Sequence, residues 1–431
     1  MNPWFESLNP ATSGLVLGGG GARGCYEIGA WKALKDNGIS FGCVAGTSIG
    51  ALVGAMYVQG ALGPITEFVE HLEPTAIASD LFAFPEKLGT WVKNRKEIGS
   101  FLSRYIVSGT GMDISPLKTQ IDHLFSWPEF EQSPINFACM TFNVTQKRPE
   151  VFYKNEMTEA NAKSIILASA SCYPAFPPLK YEGNGYIDGG YWDNVPIDLA
   201  AKMGATKILA LNVEGPGLVL PVDPKLDVFS LKPMLPLGNF LDFTSEAAIR
   251  NMQAGILDFN RLLGVTIGSF YSFDKNDQED LDFFDGYLSA CFAINRIQIS
   301  QKDIDSIALW SFGVSKSELS DVLMKGRSEG LLLDGLAFIA GVDVYKVWSY
   351  MDFLNTLHVR LVELEKTVSS VETIIPALRE GELDHKKALC LIHALLKSDN
   401  ISNDHLTLAA TLYPGETALA WTWLFVEALY D

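Results

Sequence analysis

Three short stretches hold residues whose types and spacing could do nucleophilic chemistry. Gly46-Thr47-Ser48-Ile49-Gly50 is a G-x-S-x-G, with glycines two before and two after the serine to relieve the crowding of a sharp strand-to-helix turn. A serine so placed sits at the N-terminus of the following helix, where partial positive charge stabilises developing negative charge. The pattern alone is weak, because chance supplies roughly 0.15 copies in a chain of this length and composition. A second copy, Gly326-Arg327-Ser328-Glu329-Gly330, shows how weak. Ser328 follows the amphipathic "SELSDVLMK" between two charged residues and reads as a surface serine. Ser48 follows an apolar run and opens an apolar helix, so it reads as a nucleophile.

A nucleophilic serine needs a base. His71 and His123 are the only histidines in residues 1–270, and both stand in ordinary surroundings, "VEHLEP" and "IDHLFS". Asp188, in "GYIDGGYWDN", is the stronger candidate: a short strand ends in the acid, and two glycines allow a tight turn. An aspartate shielded from water and within hydrogen-bond reach can accept the serine proton directly. Taken by itself, one D-G-G reads as a turn between strands.

The third stretch is "LVLGGGGARGCYEIG", Leu15 to Gly29. Gly19 to Gly24 satisfies G-x-G-x-x-G between a strand and a helix, the setting of a dinucleotide fingerprint. That fingerprint also needs an acid about twenty positions on, at the end of the second strand. The chain has "CVAGTSIG" there, without a carboxylate, and no G-K-[ST] follows the glycines to make a phosphate loop.

In this order, "GGGARG", "GTSIG" and "DGG" resemble the patatin-like phospholipase family, and "ASASCYPAFPPLKYEGNGYIDGG" is similar to that family's approach to its catalytic Asp. The resemblance spans about residues 14–213. It implies a three-layer α/β/α core and a lipid acyl hydrolase with a Ser–Asp dyad: Ser48 as nucleophile, Asp188 as base and an acyl-enzyme between them. It further implies that the N–H groups of Gly19, Gly20 and Gly21 form the oxyanion hole, with Arg23 holding the loop or meeting a lipid phosphate. Acyl transfer or thioester hydrolysis by the same dyad, and a non-catalytic interaction protein, stay open as alternatives. No cofactor is called for, and the motifs provide no ligand cluster of the kind a calcium loop needs.

The elements that must position these residues follow from the pattern of apolar runs. Strands are expected at 14–17, 41–45, 137–144, 150–153, 186–187 and 207–213, alternating with helical segments such as 25–37 and 48–59, as in an α/β layer fold. Between the second and third strands lies a long insertion, 61–134, helical in pattern and containing "WVKNRK". It reads either as a surface elaboration or as a lid or lipid-facing wall. Residues 216–238 are Pro- and Leu-rich without a clear period and read as a connection. From 271 the chain becomes mainly helical, with the clearest segments at 317–324, 342–364 and 385–397, so the expected domains are 1–270, catalytic, and 271–431, helical. No histidine there has metal-ligand partners at ligand spacing.

A formal net charge of −18 argues against nucleic-acid binding and against simple attraction to anionic membranes. Twelve of those charges lie in residues 271–431, with 25 Asp and Glu against 13 Lys and Arg. Six scattered cysteines read as reduced thiols, and "MNPWFESLNP" lacks the layout of a signal peptide. The expectation is a cytoplasmic protein whose partners are a lipid or acyl ester and, peripherally, a membrane. Export by a signal-less route stays open.

Overall fold

A computed structural model describes residues 2–79, 81, 111–312, 328–366, 383–398 and 402–430 of the chain. The chain divides into two compact units, Met1–Pro233 with Leu237–Phe259, and Met234–Pro236 with Asn260–Asp431.

The first unit is built on an eight-stranded mixed sheet: β1 (Ser13–Leu17), β2 (Cys43–Thr47), β3 (Asn136–Asn143), β4 (Arg148–Tyr153), β5 (Leu179–Tyr181), β6 (Asn184–Asp188), β7 (Lys207–Leu211) and β8 (Asp227–Leu231). The order is β5-β6-β3-β2-β1-β7-β8, with β4 also paired to β3. Strands β3, β2, β1, β7 and β8 run parallel, whereas β4, β5 and β6 pair antiparallel. Every residue of β1 and β2 is buried, as parallel strands covered on both faces must be.

Helices cover both faces of this sheet. On one face, Val16, Ala45 and Ala138 pack with Ile197, Leu199 and Ala200 of the helix Ile197–Lys202. On the other lies the helix Ile49–Val58, where a Cβ on Gly54 would touch Val44, Phe137 and Leu17. This is the three-layer α/β/α core. The helix Cys25–Asp36 stops at Asn37, and Gly38 follows at φ +73° in the left-handed conformation that ends helices.

One register decides where the chemistry can happen. Strand β3 pairs in parallel with β2 up to Met140, opposite Thr47. Its next residue, Thr141, is opposite Asp188 in antiparallel β6. Because β4 occupies the other edge of β3 from Ala138 to Asn143, β2 and β6 follow one another along a single edge. The ends of β2 and β6 therefore meet at consecutive positions of β3.

Several local expectations change. Strand β8 falls inside the segment expected to be a connection; only its Leu231 is fully buried, so an edge strand of five residues left no apolar period to read. Strand β5 is likewise half-exposed and short. Of the insertion, the helices Leu62–Glu70, Ser115–Leu124 and Trp127–Gln132 are described, while "WVKNRK" lies outside the described residues.

The second unit is mainly helical, with helices at Gln278–Ile294, Gln301–Phe312, Ser328–Ile339, Tyr350–Glu365, His385–Leu396, Asn403–Leu412 and Pro414–Glu427. It also holds a three-stranded sheet of Thr266–Ile267, Ser272–Asp274 and Val347–Trp348. The helix expected from residue 342 starts only at Tyr350, because Val347–Trp348 pairs with Ser272–Phe273 and Ser349 caps the helix through the Asp352 N–H. The segment expected at 317–324 lies outside the described residues. Phe353 is central to this unit's core, edge-to-face with Phe273 at 5.0 Å and beside Tyr271 and Trp348.

Candidate active site

Ser48 stands between the end of β2 at Thr47 and the helix Ile49–Val58, with φ +57° and ψ −127°. That combination is strained for a residue with a side chain, on the order of 1–3 kcal/mol, and is held only by its surroundings. Close approach enforces it: a Cβ on Gly46 would fall 2.3 Å from the Gly50 carbonyl oxygen, and one on Gly50 2.2 Å from that of Leu17. The Ser48 N–H donates to Ser169 Oγ (3.0 Å), and Ser169 donates in turn to the Met140 carbonyl (2.7 Å). Thr47 Oγ1 donates to the Asp193 carbonyl (2.8 Å), which fixes the turn from the opposite side.

The Ser48 hydroxyl and the Asp188 carboxylate line the same pocket, and the hydroxyl favours the charged form of the acid. Asp188 is held from two further directions: its N–H donates to the Ser171 carbonyl (2.9 Å), and its Oδ1 accepts from the Gly190 N–H (2.8 Å). Both side chains are buried. Burial raises the Asp188 pKa to about 6, against the lowering effect of the nearby Ser48 hydroxyl and of the Gly190 N–H. Cys172 is close by, but burial and the Asp188 charge push its thiol up to about 12, so it stays protonated. His71 and His123 do not line this pocket.

The glycine loop stands over the same place, but its three N–H groups are not equivalent. The Gly19 N–H donates to the Asn194 carbonyl (3.0 Å), and the Asn194 Nδ2 donates back to the Gly19 carbonyl (2.9 Å). Gly19 is thus committed to holding the loop, which corrects its expected place among the oxyanion donors. Gly20 and Gly21 line the pocket with Ser48 and Asp188, and among the described residues nothing accepts their N–H groups. Gly21 has φ +55°, and a Cβ there would fall 2.1 Å from the Phe240 carbonyl oxygen. Arg23 is tied to backbone carbonyls: Nε donates to Gly238 (2.8 Å), and Nη1 to Val213 (3.4 Å) and Glu214. Of its two expected roles the geometry gives it the loop contact.

The pocket holds about 590 Å³ of empty space, part of it open to solvent. Its walls are largely apolar, with Leu52, Phe176, Phe240, Leu241 and Phe243 among them, and Ile77 and Leu117 enter from the insertion. Two residues passed over in the sequence support the site: Asn194, which clamps the glycine loop, and Ser169, which clamps the Ser48 turn. Both lie within stretches quoted above, "YWDN" and "ASAS", but neither type announces a role without its partner.

In the second unit the tertiary fold brings Glu365, His393 and Glu427 within 4.8 Å of one another, which their spacing did not predict. Lys397 Nζ lies 2.7 Å from Glu365 and 3.4 Å from Glu427, so an ammonium already balances these carboxylates. All six cysteines are free. Among the described residues, no helix is long and apolar enough to cross a membrane.

Residues 15–201 match the family model for patatin-like phospholipase. The lysophospholipase NTE1 of Mycosarcoma maydis is 34% identical over 200 residues, covering 46% of this chain and 10% of its own length. The patatin-like phospholipase domain-containing protein 7 of Rattus norvegicus is 31% identical over 201 residues, covering 46% of this chain and 13% of its own. This chain therefore spans only about a tenth of the length of such relatives. The crystal structure of VipD from Legionella pneumophila aligns over 98% of this chain at 14% identity, with a TM-score of 0.30. Over residues 15–201, which include Ser48 and Asp188, this chain is thus similar to patatin-like phospholipases.

Proposed function

We propose that this chain is a lipid acyl hydrolase that cleaves carboxylic esters through Ser48 and Asp188. The observation that carries the reading is a serine on a strained turn that shares an apolar pocket with a buried carboxylate. Asp188 takes the Ser48 proton as Oγ attacks the acyl carbonyl carbon. The N–H groups of Gly20 and Gly21 receive the oxyanion, each such donor lowering the barrier by about 3–4 kcal/mol. Collapse breaks the ester bond, and the leaving alcohol takes the proton from Asp188. Water then attacks the acyl-Ser48 carbonyl and gives its proton to Asp188, and the free acid leaves as that proton returns to Ser48.

The apolar walls suit an acyl chain, and the lysophospholipase names of the relatives make single-chain phospholipids the first substrates to test. Mass spectrometry of a mixed lipid extract, with wild type beside Ser48→Ala, tests the reading. Free fatty acid released by the wild type and not by the variant is the expected result. Equal release by a folded Ser48→Ala protein overturns it.

A further inference from the structure

The first unit carries a cluster of exposed apolar side chains that the chemistry above does not use. Leu218 is 59% exposed, Val219 50%, Val222 41% and Trp192 41%, with Leu220 and Tyr191 beside them in sequence. They belong to two loops, 189–192 and 215–222, which are fastened together. The Leu218 N–H donates to the Gly190 carbonyl (2.9 Å), the Asn194 N–H donates to the Leu218 carbonyl (2.6 Å), and the Leu220 N–H donates to the Asp193 carboxylate (3.4 Å). The backbone is therefore fixed while the side chains face water, which is costly unless something covers them.

Position and charge identify the cover. Gly190 accepts from this loop and also donates to the Asp188 carboxylate, and Pro216 both belongs to the loop and lines the pocket. The exposed cluster is thus the rim of the pocket beside its base. Residues 215–222 carry no charge. Glu214, paired with Lys232 (2.6 Å), precedes the loop, and Asp223, Lys225 and Asp227, the last paired with Lys207 (3.4 Å), follow it, so no excess of positive charge flanks the loop. A bound anionic surface would need such an excess. Aliphatic residues beside a Tyr and a Trp, without a basic fringe, have the composition that settles at the headgroup level of a neutral bilayer.

We infer that loops 189–192 and 215–222 form an interfacial surface that inserts into zwitterionic lipid and brings the pocket mouth to the membrane. This rests on the lipid-hydrolase reading for its purpose, but not for its measurement. Flotation with phosphatidylcholine vesicles uses the full chain carrying Ser48→Ala, so the lipid stays intact. The protein floats equally at about 0.15 M and about 0.5 M salt, and Val219→Ser/Leu220→Ser/Val222→Ser in the same chain cuts the bound fraction about tenfold or more. In chains with Ser48 intact, the same triple change lowers the ratio of vesicle-lipid to soluble-ester hydrolysis by a similar factor, which a merely structural loss would not do.

Should the triple variant not fold, brominated phosphatidylcholine decides instead: it quenches wild-type tryptophan fluorescence, and Trp192→Phe removes most of that quench. Undiminished flotation of the triple variant, flotation that needs anionic lipid, or a quench unchanged by Trp192→Phe overturns the inference, as would a protein partner occupying this face in place of vesicles. Absence of soluble-ester turnover in the wild type sinks the dyad and leaves vesicle binding to be judged separately.

Discussion

Burial places the Asp188 carboxyl at about 6, which suits a base that must hold a proton and return it near neutral pH. Turnover of a soluble ester should fall as pH drops through about 6, following one proton, in a profile of kcat/KM. Asp188→Asn should lower kcat by about 10²–10⁴-fold. The same burial bears on stability with a definite sign. A carboxyl raised above its unfolded value of about 3.9 contributes most below that value, and the contribution is lost as pH rises toward 6. The loss is on the order of 3 kcal/mol at about 1.4 kcal/mol per unit, so Asp188→Asn should melt higher than wild type at pH 8 while inactive. Glu27 poses the same question without an evident catalytic answer. It is fully buried, neither carboxyl oxygen has a hydrogen-bond partner, and burial pushes its pKa well above the usual carboxylate range. The Gly18 N–H favours its charged form, but that N–H is already donated to Leu211 at 3.0 Å. Thermal melts across pH should lose stability above about pH 4.3, and Glu27→Gln should flatten that slope.

Among the elements, the glycine loop and the Ser48 turn were legible because each depends on local backbone chemistry: glycines where a Cβ has no room, and a serine between strand and helix. The clamps were not legible, since Asn194 meets Gly19 across 175 residues and Ser169 meets Ser48 across 121. Asn194→Ala should loosen the loop without touching the dyad. It removes a buried hydrogen bond to the Gly19 carbonyl and should cost about 1–3 kcal/mol of stability, read by denaturant melts. It should also slow labelling of Ser48 by a fluorophosphonate, which reports oxyanion stabilisation directly; unchanged labelling would assign Asn194 a purely structural role. The elements missed, β5 and β8, share a cause: short, half-exposed edge strands bury too few side chains to show a period of two.

At the scale of the whole molecule, each unit has its own core. Phe353, which lines no part of the pocket, is fully buried among Phe273, Tyr271 and Tyr350. Phe353→Ala should destabilise the second unit by about 3–5 kcal/mol in calorimetry, with soluble-ester turnover at 25 °C serving as the control for the first. The order of motifs in the sequence was enough to mark Ser48, Asp188 and the glycine loop as candidates, and to place them in an α/β layer fold, because turn strain, helix starts and strand periodicity are properties of adjacent residues. Tertiary structure alone decided that Thr47 and Asp188 pair with consecutive residues of β3, that Gly19 gives its N–H to Asn194, and that Arg23 is spent on carbonyls. It likewise decided that Glu365, His393 and Glu427 converge and that Leu218 to Val222 face water at the pocket rim. Strand register and the burial of each polar group depend on partners far along the chain, and no short stretch of sequence records which partner wins.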